Sequence, residues 1–200
     1  MTARLVLALP FLIAAGSLSA VAVAEPRTPP PALLVLHRAD LGAAYTGRGA
    51  TVRNAEAARG APPGFAAKLA QWGRIGGYEI DFTRRVGPAT LQDGPLEIKS
   101  SASVYRRKAG ARAAFAYARR RLIPRGYVPL ALGFALGEEA RQWVRQDESG
   151  LGTLLDYIVI WREDNIDASI VLTGRVGVIS AADIAPLAQK QESRIRAALR

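Results

Sequence analysis

Residues 154–174 read LLDYIVIWREDNIDASIVLTG, and their pattern predicts a β-hairpin at the centre of the fold. The first arm, residues 155–161, is a run of β-branched and aromatic residues that is apolar on both faces, as in a strand covered on two sides. The second arm, residues 166–173, alternates apolar with polar side chains, so we expect it to bury one face and expose the other. Asp164 and Asn165 between the arms tolerate the positive φ of a tight turn.

The rest of the chain supplies further strands and helices by the same reasoning. Alternating or β-rich segments predict strands at residues 78–83, 96–104, 126–131 and 140–146. Apolar residues at spacings of three and four predict helices at residues 64–71, 108–122 and about 183–199. Residues 32–37 fit either a short strand or a helical turn, and residues 45–60 predict a surface loop with one short helix near 54–59. We therefore expect an α+β fold, an antiparallel sheet of five or six strands with helices packed on it.

The N-terminus has the features of an export signal. Residues 1–24 combine Arg4, an apolar segment and a small-residue site at residues 22–24, which predicts cleavage after Ala24. The uncharged segment is also just long enough to span a bilayer, so an uncleaved anchor is the alternative. Residues 25–31 form a proline-rich linker, and residues 32–200 form a single domain. The sequence thus predicts a secreted or extracytoplasmic protein.

Composition narrows the range of functions. The net charge of +10 comes from 23 Arg and 4 Lys against 17 acidic residues, which suits anionic partners in general. Nucleic acid as the natural partner conflicts with the export signal. The chain has no cysteine and one histidine, His37, so it lacks the ligands of a typical zinc or other transition-metal site and any cysteine nucleophile. We expect no metal and no cofactor.

No catalytic residue can be assigned. Glu79 and Asp81 share one face of a predicted strand and are paired carboxylates in principle, but a solvated face opposite Lys99 is the favoured interpretation. Ser100, Ser101 and Ser103 stand outside any G-x-S-x-G context. The sequence favours a noncatalytic protein.

Two sets of residues are candidates for binding. The first is an aromatic set that lines a ligand pocket or else forms ordinary core: Trp72, Tyr78, Phe82, Phe115, Trp143, Tyr157 and Trp161. The second is a basic set that binds phosphate or anionic lipid or else is a solvated helix face: Arg106, Arg107, Lys108, Arg112, Arg119, Arg120, Arg121 and Arg125.

Four short segments carry a family resemblance. They are WGRIGGY at 72–78, LGEEA at 136–140, IWREDN at 160–165 and LAQKQ at 187–191. In their order they resemble bacterial exported proteins of the PsbP/Mog1-like superfamily, which include mycobacterial-type envelope lipoproteins and extracytoplasmic kinase sensor domains. The resemblance spans residues 63–199. It implies an antiparallel sheet flanked by helices and a noncatalytic role in binding or sensing, and it brings no catalytic residue.

The hypothesis from sequence is an exported, noncatalytic domain that binds a hydrophobic or lipid envelope ligand, or a protein partner. The alternative is a peripheral protein held to an anionic membrane or envelope polymer by the arginine-rich helix. The sequence leaves the identity of the ligand and the oligomeric state open.

Overall fold

The computed structural model describes residues 28–85, 87, 90–150 and 152–200. The predicted signal segment, its cleavage site and residues 25–27 of the linker lie outside the described residues. Within them the chain forms one antiparallel sheet of seven strands in the order β1-β2-β3-β7-β6-β5-β4. The strands are β1 (Tyr45–Val52), β2 (Arg74–Arg84), β3 (Glu97–Tyr105), β4 (Val128–Leu130), β5 (Glu139–Ser149), β6 (Gly152–Glu163) and β7 (Ile166–Arg175). The α+β architecture is confirmed, whereas the expected five or six strands were too few.

Helices cover both faces of the sheet. They are α1 (Asn54–Ala57), α2 (Phe65–Gln71), α3 (Lys108–Leu122) and α4 (Ile184–Leu199), with 3-10 turns at Pro31–Leu33, Arg38–Asp40 and Ile123–Arg125. The bounds of α3 are the predicted ones, and residues 31–33 adopt the helical turn rather than the strand. No helix among the described residues is long and apolar enough to cross a membrane.

Strand β1 is the element that the sequence analysis missed. Residues 45–52 were expected to be loop because Gly47 and Gly49 interrupt any strand pattern. In the structure they pair along their whole length with β2. A Cβ on Gly47 would lie 2.7 Å from the Phe82 ring, and one on Gly49 would overlap the Tyr78 side chain. The glycines are therefore required where the aromatic side chains of β2 lie across β1.

The main core lies between the sheet and α4. Strand β7 directs Ile166, Ala168, Ile170 and Leu172 into this core, and its burial alternates residue by residue as predicted. The strand meets β6 through a tight turn in which Asp164 has a φ of 51°, again as expected.

A buried polar network connects three parts of this layer. The Ser100 hydroxyl donates to Oε1 of Gln191 at 2.7 Å and accepts from the backbone N–H of Leu36 at 3.0 Å. Gln191 in turn donates to the Ser101 carbonyl at 2.9 Å. Ser100 and Gln191 are fully buried, so this network fixes the N-terminal segment and α4 against β3.

The second face of the sheet packs against α3. Phe115 and Leu122 of α3 contact Trp143 and Ile160 in one cluster, and a second cluster joins Tyr105 to Ala111 and Ala114. Strand β6 is thus apolar on both faces because it contributes to both layers, as its sequence predicts. The second layer is less continuous than the α4 layer, and the space it leaves is the candidate site.

A cleft between helix α3 and the sheet

A cleft of about 360 Å³ lies on the α3 face of the sheet. Strands β3, β7 and β6 form its floor, helix α3 forms one wall, and α2 with the preceding segment 57–61 forms the other. The volume is within the range of small-molecule sites. We call this space the α3 cleft.

The cleft exists because α3 presents small side chains to it. Ala114, Ala118, Arg121 and Arg125 follow one another at spacings of four, three and four, so they lie on one side of the helix and its 3-10 continuation. The two alanines leave the space that longer side chains would fill, and the two arginines follow them toward the C-terminal end. The two alanines belong to the apolar spacing that predicts this helix, and from that spacing they were interpreted as core residues.

Aromatic contacts hold the two walls together. The Phe65 ring of α2 stacks on the Tyr117 ring of α3 with centroids 4.7 Å apart and planes 19° apart. Trp72 meets Phe65 edge-on at 6.1 Å. Because these rings bridge α2 and α3, the width of the cleft is set by packing within the protein.

The polar part of the floor comes from β3 and β7. The hydroxyls of Ser101 and Ser169 lie 2.7 Å apart and share one hydrogen bond across the strands. The Ser103 hydroxyl accepts from Nε of Arg74 at 3.1 Å. Asp167 stands beside them; it is half-buried as a residue, but its Oδ1 has no solvent contact and no hydrogen-bond partner among the described residues.

Asp167 is the most perturbed carboxyl of the floor. Burial raises its pKa well above the usual range, and this effect outweighs the lowering by Arg162, by Arg74 and by the hydroxyl of Tyr105, which donates a hydrogen bond to the carboxyl. Burial likewise raises the pKa of the Tyr105 phenol. A desolvated carboxyl in the lining of a cleft is a frequent mark of a functional site.

Three arginines line this cleft, and of these Arg59 interacts electrostatically with Glu56. Arg59 lies on the α2 side, and Arg121 and Arg125 lie on the α3 side. Across the part of the chain that the structure describes, none of the three forms an ion pair, whereas neighbouring Arg119 lies 3.6 Å from Glu139. The cleft therefore combines apolar walls, a polar floor and a positively charged rim.

The predicted aromatic set is divided between the two faces of the sheet. Phe115 and Trp161 line the α3 cleft. The other members lie outside it: Tyr78, Phe82 and Tyr157 in the α4 layer, Trp143 beneath α3, and Trp72 behind the Phe65 ring. Trp161 also donates from Nε1 to Oε2 of Glu192 at 2.6 Å in the α4 layer. The structure thus brings two of the seven residues to one cleft, and the indole ring of Trp161 itself packs in the α4 layer.

The predicted basic set is distributed along α3 and the segments that flank it. Arg121 and Arg125 reach the cleft, while Lys108 contacts Glu138 and Asp164 at 3.7 and 3.1 Å. The others are Arg106, Arg107, Arg112 and Arg120, which are exposed, and Arg119, which is half-buried. Two of the eight positive charges are therefore paired with acidic residues of the protein. The net positive charge of this surface is thus smaller than the count of basic residues in the sequence suggests.

The remaining candidates carry less chemistry. Lys99 lies 3.5 Å from Glu79 and 3.2 Å from Asp81, which is the solvated arrangement considered from sequence. Within residues 28–85, 87, 90–150 and 152–200, no group of three or more acidic or histidine side chains could hold a metal ion.

A second depression of about 570 Å³ lies beside the start of α4. Its Asp40 already receives two hydrogen bonds from Arg194 at 2.7 and 2.8 Å, and its Asp183 accepts two from Ser180 at 2.7 and 2.9 Å. Since these carboxyls are occupied by the protein itself, the α3 cleft is the stronger site.

Sequence reasoning missed Asp167, Arg59 and Ser169, and it considered Ser101 and Ser103 only as nucleophiles. Asp167 sits on the polar side of an alternating strand, where a charged residue is expected to be solvated. Only the packing of α3 over that side removes it from water.

Comparison with known proteins identifies the fold. No protein-family model matches the sequence, and no curated protein matches it. The crystal structure of the extracellular domain of PknH from Mycobacterium tuberculosis superposes with a TM-score of 0.58 at 9% sequence identity. The match covers 86% of this chain and 99% of that domain. The chain shares its fold with an extracellular domain. Membership of the PsbP/Mog1-like superfamily stays a prediction.

Proposed function

We propose that this chain is an exported, noncatalytic domain that binds a hydrophobic or lipid ligand of the cell envelope in the α3 cleft. The observation that carries the proposal is the cleft itself, a preformed space with apolar walls and a polar floor. The export signal in the sequence and the fold shared with an extracellular domain support the location.

Native mass spectrometry of the protein purified from the exported fraction of its own host tests the proposal directly. We expect an excess mass that disappears on denaturation and that identifies the ligand. A bare chain mass, combined with no saturable uptake of envelope lipid added to the purified protein, would contradict the proposal.

A matched pair of variants locates the ligand. Ala118→Phe places a large ring in the cleft, whereas Ala109→Phe adds the same ring at an exposed position near the start of α3, outside the cleft lining. Both substitutions replace Ala by Phe within α3. We expect the excess mass to be lost in Ala118→Phe and kept in Ala109→Phe; equal occupancy in both would place the ligand elsewhere.

The exposed arginines favour a second function, attachment to an anionic membrane or envelope polymer. Arg107, Arg112 and Arg120 are exposed and, over the described residues, form no ion pair. Substitution of these three by Gln leaves the cleft lining intact. If attachment is the function, the triple variant loses vesicle binding that in the native protein weakens steeply with added salt. Unchanged vesicle binding would exclude this surface.

A further inference from the structure

We infer that the α3 cleft binds a phosphate ester with free hydroxyl groups, the phosphate held by Arg59, Arg121 and Arg125 and the hydroxyls by the serines of the floor. This inference rests on the proposed function, since it assigns the chemistry of the ligand in the same cleft. It predicts that the cleft prefers polyol phosphates to simple hydrocarbon chains as ligands.

The rim of the cleft points to phosphate. Three arginines line it on two walls, and none forms an ion pair with a described residue, although the charge of Arg59 acts on the Glu56 carboxylate. Like charges around one opening repel one another, so an anion that binds there removes an unfavourable interaction as well as adding favourable ones. The planar guanidinium suits the oxygens of phosphate, because it can donate two parallel hydrogen bonds. Arg121 is half-buried, which makes its interaction less screened by water than that of a fully exposed arginine.

The floor points to hydroxyl groups. The hydroxyls of Ser101, Ser103 and Ser169 supply its polar groups, whereas Oδ1 of Asp167 is out of contact with solvent and so out of reach of a ligand. The Ser101 and Ser169 hydroxyls together hold two hydrogens and use one between themselves. The Ser103 hydroxyl accepts from Arg74, so its own hydrogen is available to donate. The floor thus offers both hydrogen-bond donors and hydrogen-bond acceptors within one small area.

A hydroxyl both donates and accepts, and it can satisfy such a floor. An aliphatic chain lying on the same side chains would exclude water from them and give no hydrogen bond in return, which is costly for buried polar groups. The apolar walls, among them Phe65 and Phe115, then contact the carbon skeleton of the ligand. Each part of the cleft therefore has a matching part in a polyol phosphate.

The same chemistry occurs in two sources, a soluble polyol phosphate and the head group of a phospholipid such as phosphatidylinositol. In the lipid the phosphate is a diester and the acyl chains continue beyond it. The solution probe and the vesicle probe below separate these sources.

Calorimetric titration with myo-inositol monophosphate, inositol and inorganic phosphate tests the inference in solution. We expect the monophosphate to bind at least about tenfold more tightly than either fragment, because each fragment satisfies one half of the site. Arg121→Gln with Arg125→Gln should weaken binding by about tenfold or more, while the exposed pair Arg107→Gln with Arg112→Gln should not change it. Ser103→Ala should narrow the preference for the monophosphate over phosphate by about threefold or more, because it removes a floor hydroxyl.

Flotation with vesicles tests the lipid source. Phosphatidylinositol and phosphatidylserine, each at equal content in phosphatidylcholine, offer the same net charge but only the former has a polyol head group. If the ligand is a lipid, phosphatidylinositol vesicles bind several-fold more protein, and Arg121→Gln with Arg125→Gln removes that preference. If the source is soluble, the monophosphate binds and neither vesicle is preferred.

Two outcomes overturn the inference. One is equal affinity for the monophosphate and inorganic phosphate together with equal binding to both vesicles. The other is unchanged affinity in the Arg121 and Arg125 double variant. In either case a ligand found by native mass spectrometry and displaced by Ala118→Phe leaves the proposed function standing. Absence of any such ligand overturns both.

Discussion

Replacement of Asp167 by Asn should change how the stability of this protein depends on pH. The raised pKa means that the folded protein keeps a proton on Asp167 at pH values where the unfolded chain, with its ordinary value of 3.8, has lost it. The folded state is therefore penalised progressively as pH rises from about 4 to the folded-state pKa. Below about pH 4 the penalty is absent, because both states are protonated.

The size of the effect follows from proton linkage. A difference of one bound proton changes the free energy of unfolding by at most about 1.4 kcal/mol per pH unit, and the loss ends once pH passes the folded-state pKa. Asn is neutral at every pH, has the same shape and keeps an oxygen that can accept from Tyr105. The variant should thus gain stability over the native protein as pH rises, by up to about 1.4 kcal/mol for each unit of the shift in pKa.

Urea unfolding from about pH 4 to about pH 8, followed by tryptophan fluorescence, measures this difference. Glu163 also has a raised pKa, since burial and the nearby Glu192 carboxylate disfavour its charge, but it is present in both proteins and cancels in the comparison. Asp147→Asn is the control, because the Asp147 side chain is 58% exposed and its ion pair with Arg145 lies at the surface. If the native and Asp167→Asn profiles run parallel, Asp167 is not a desolvated carboxyl and the account of the floor is wrong.

Three further substitutions test the packing around the site. Ser100→Ala should lower the free energy of unfolding by about 1–3 kcal/mol in chemical denaturation, because it leaves the buried hydrogen-bond partners of Ser100 unsatisfied. An effect near zero would refute that network. Gly110→Ala should destabilise by about 1–3 kcal/mol or more, since its Cβ would overlap the backbone carbonyl of the α2 C-terminus, while Gly133→Ala, with open space around it, should change little. Glu192→Gln should lower the pKa of Glu163, so the loss of stability above about pH 4.5 becomes shallower; an unchanged slope would show that the two carboxyls do not interact.

The strongly patterned elements were predictable because their periodicity is a local property. Helix α3 has the predicted bounds, and the β6–β7 hairpin has its turn at Asp164. Helix α4 appears where the apolar spacing places it. In each case one face of the element is buried along its whole length, so apolar residues recur in the sequence at a fixed spacing.

Strand β1 was not predictable in the same way. Its residues carry no apolar alternation, and six of its eight positions are exposed. It forms a strand because it pairs with β2 and because the Tyr78 and Phe82 side chains of β2 pack over its glycines. Both are properties of the neighbouring strand.

The sequence by itself determined an α+β chain with an arginine-rich helix, a central hairpin whose first strand is apolar on both faces, and no cysteine or histidine cluster for metal or thiol chemistry. Only the tertiary structure decided that most of the aromatic set is core and that the site lies at Asp167, the floor serines and the unpaired arginines. The physical reason is that burial of a polar side chain and the pairing of a charge depend on what packs above it. The periodicity of apolar residues along the chain indicates which face of a strand or helix is buried. It does not indicate where the elements packed on that face leave a cleft.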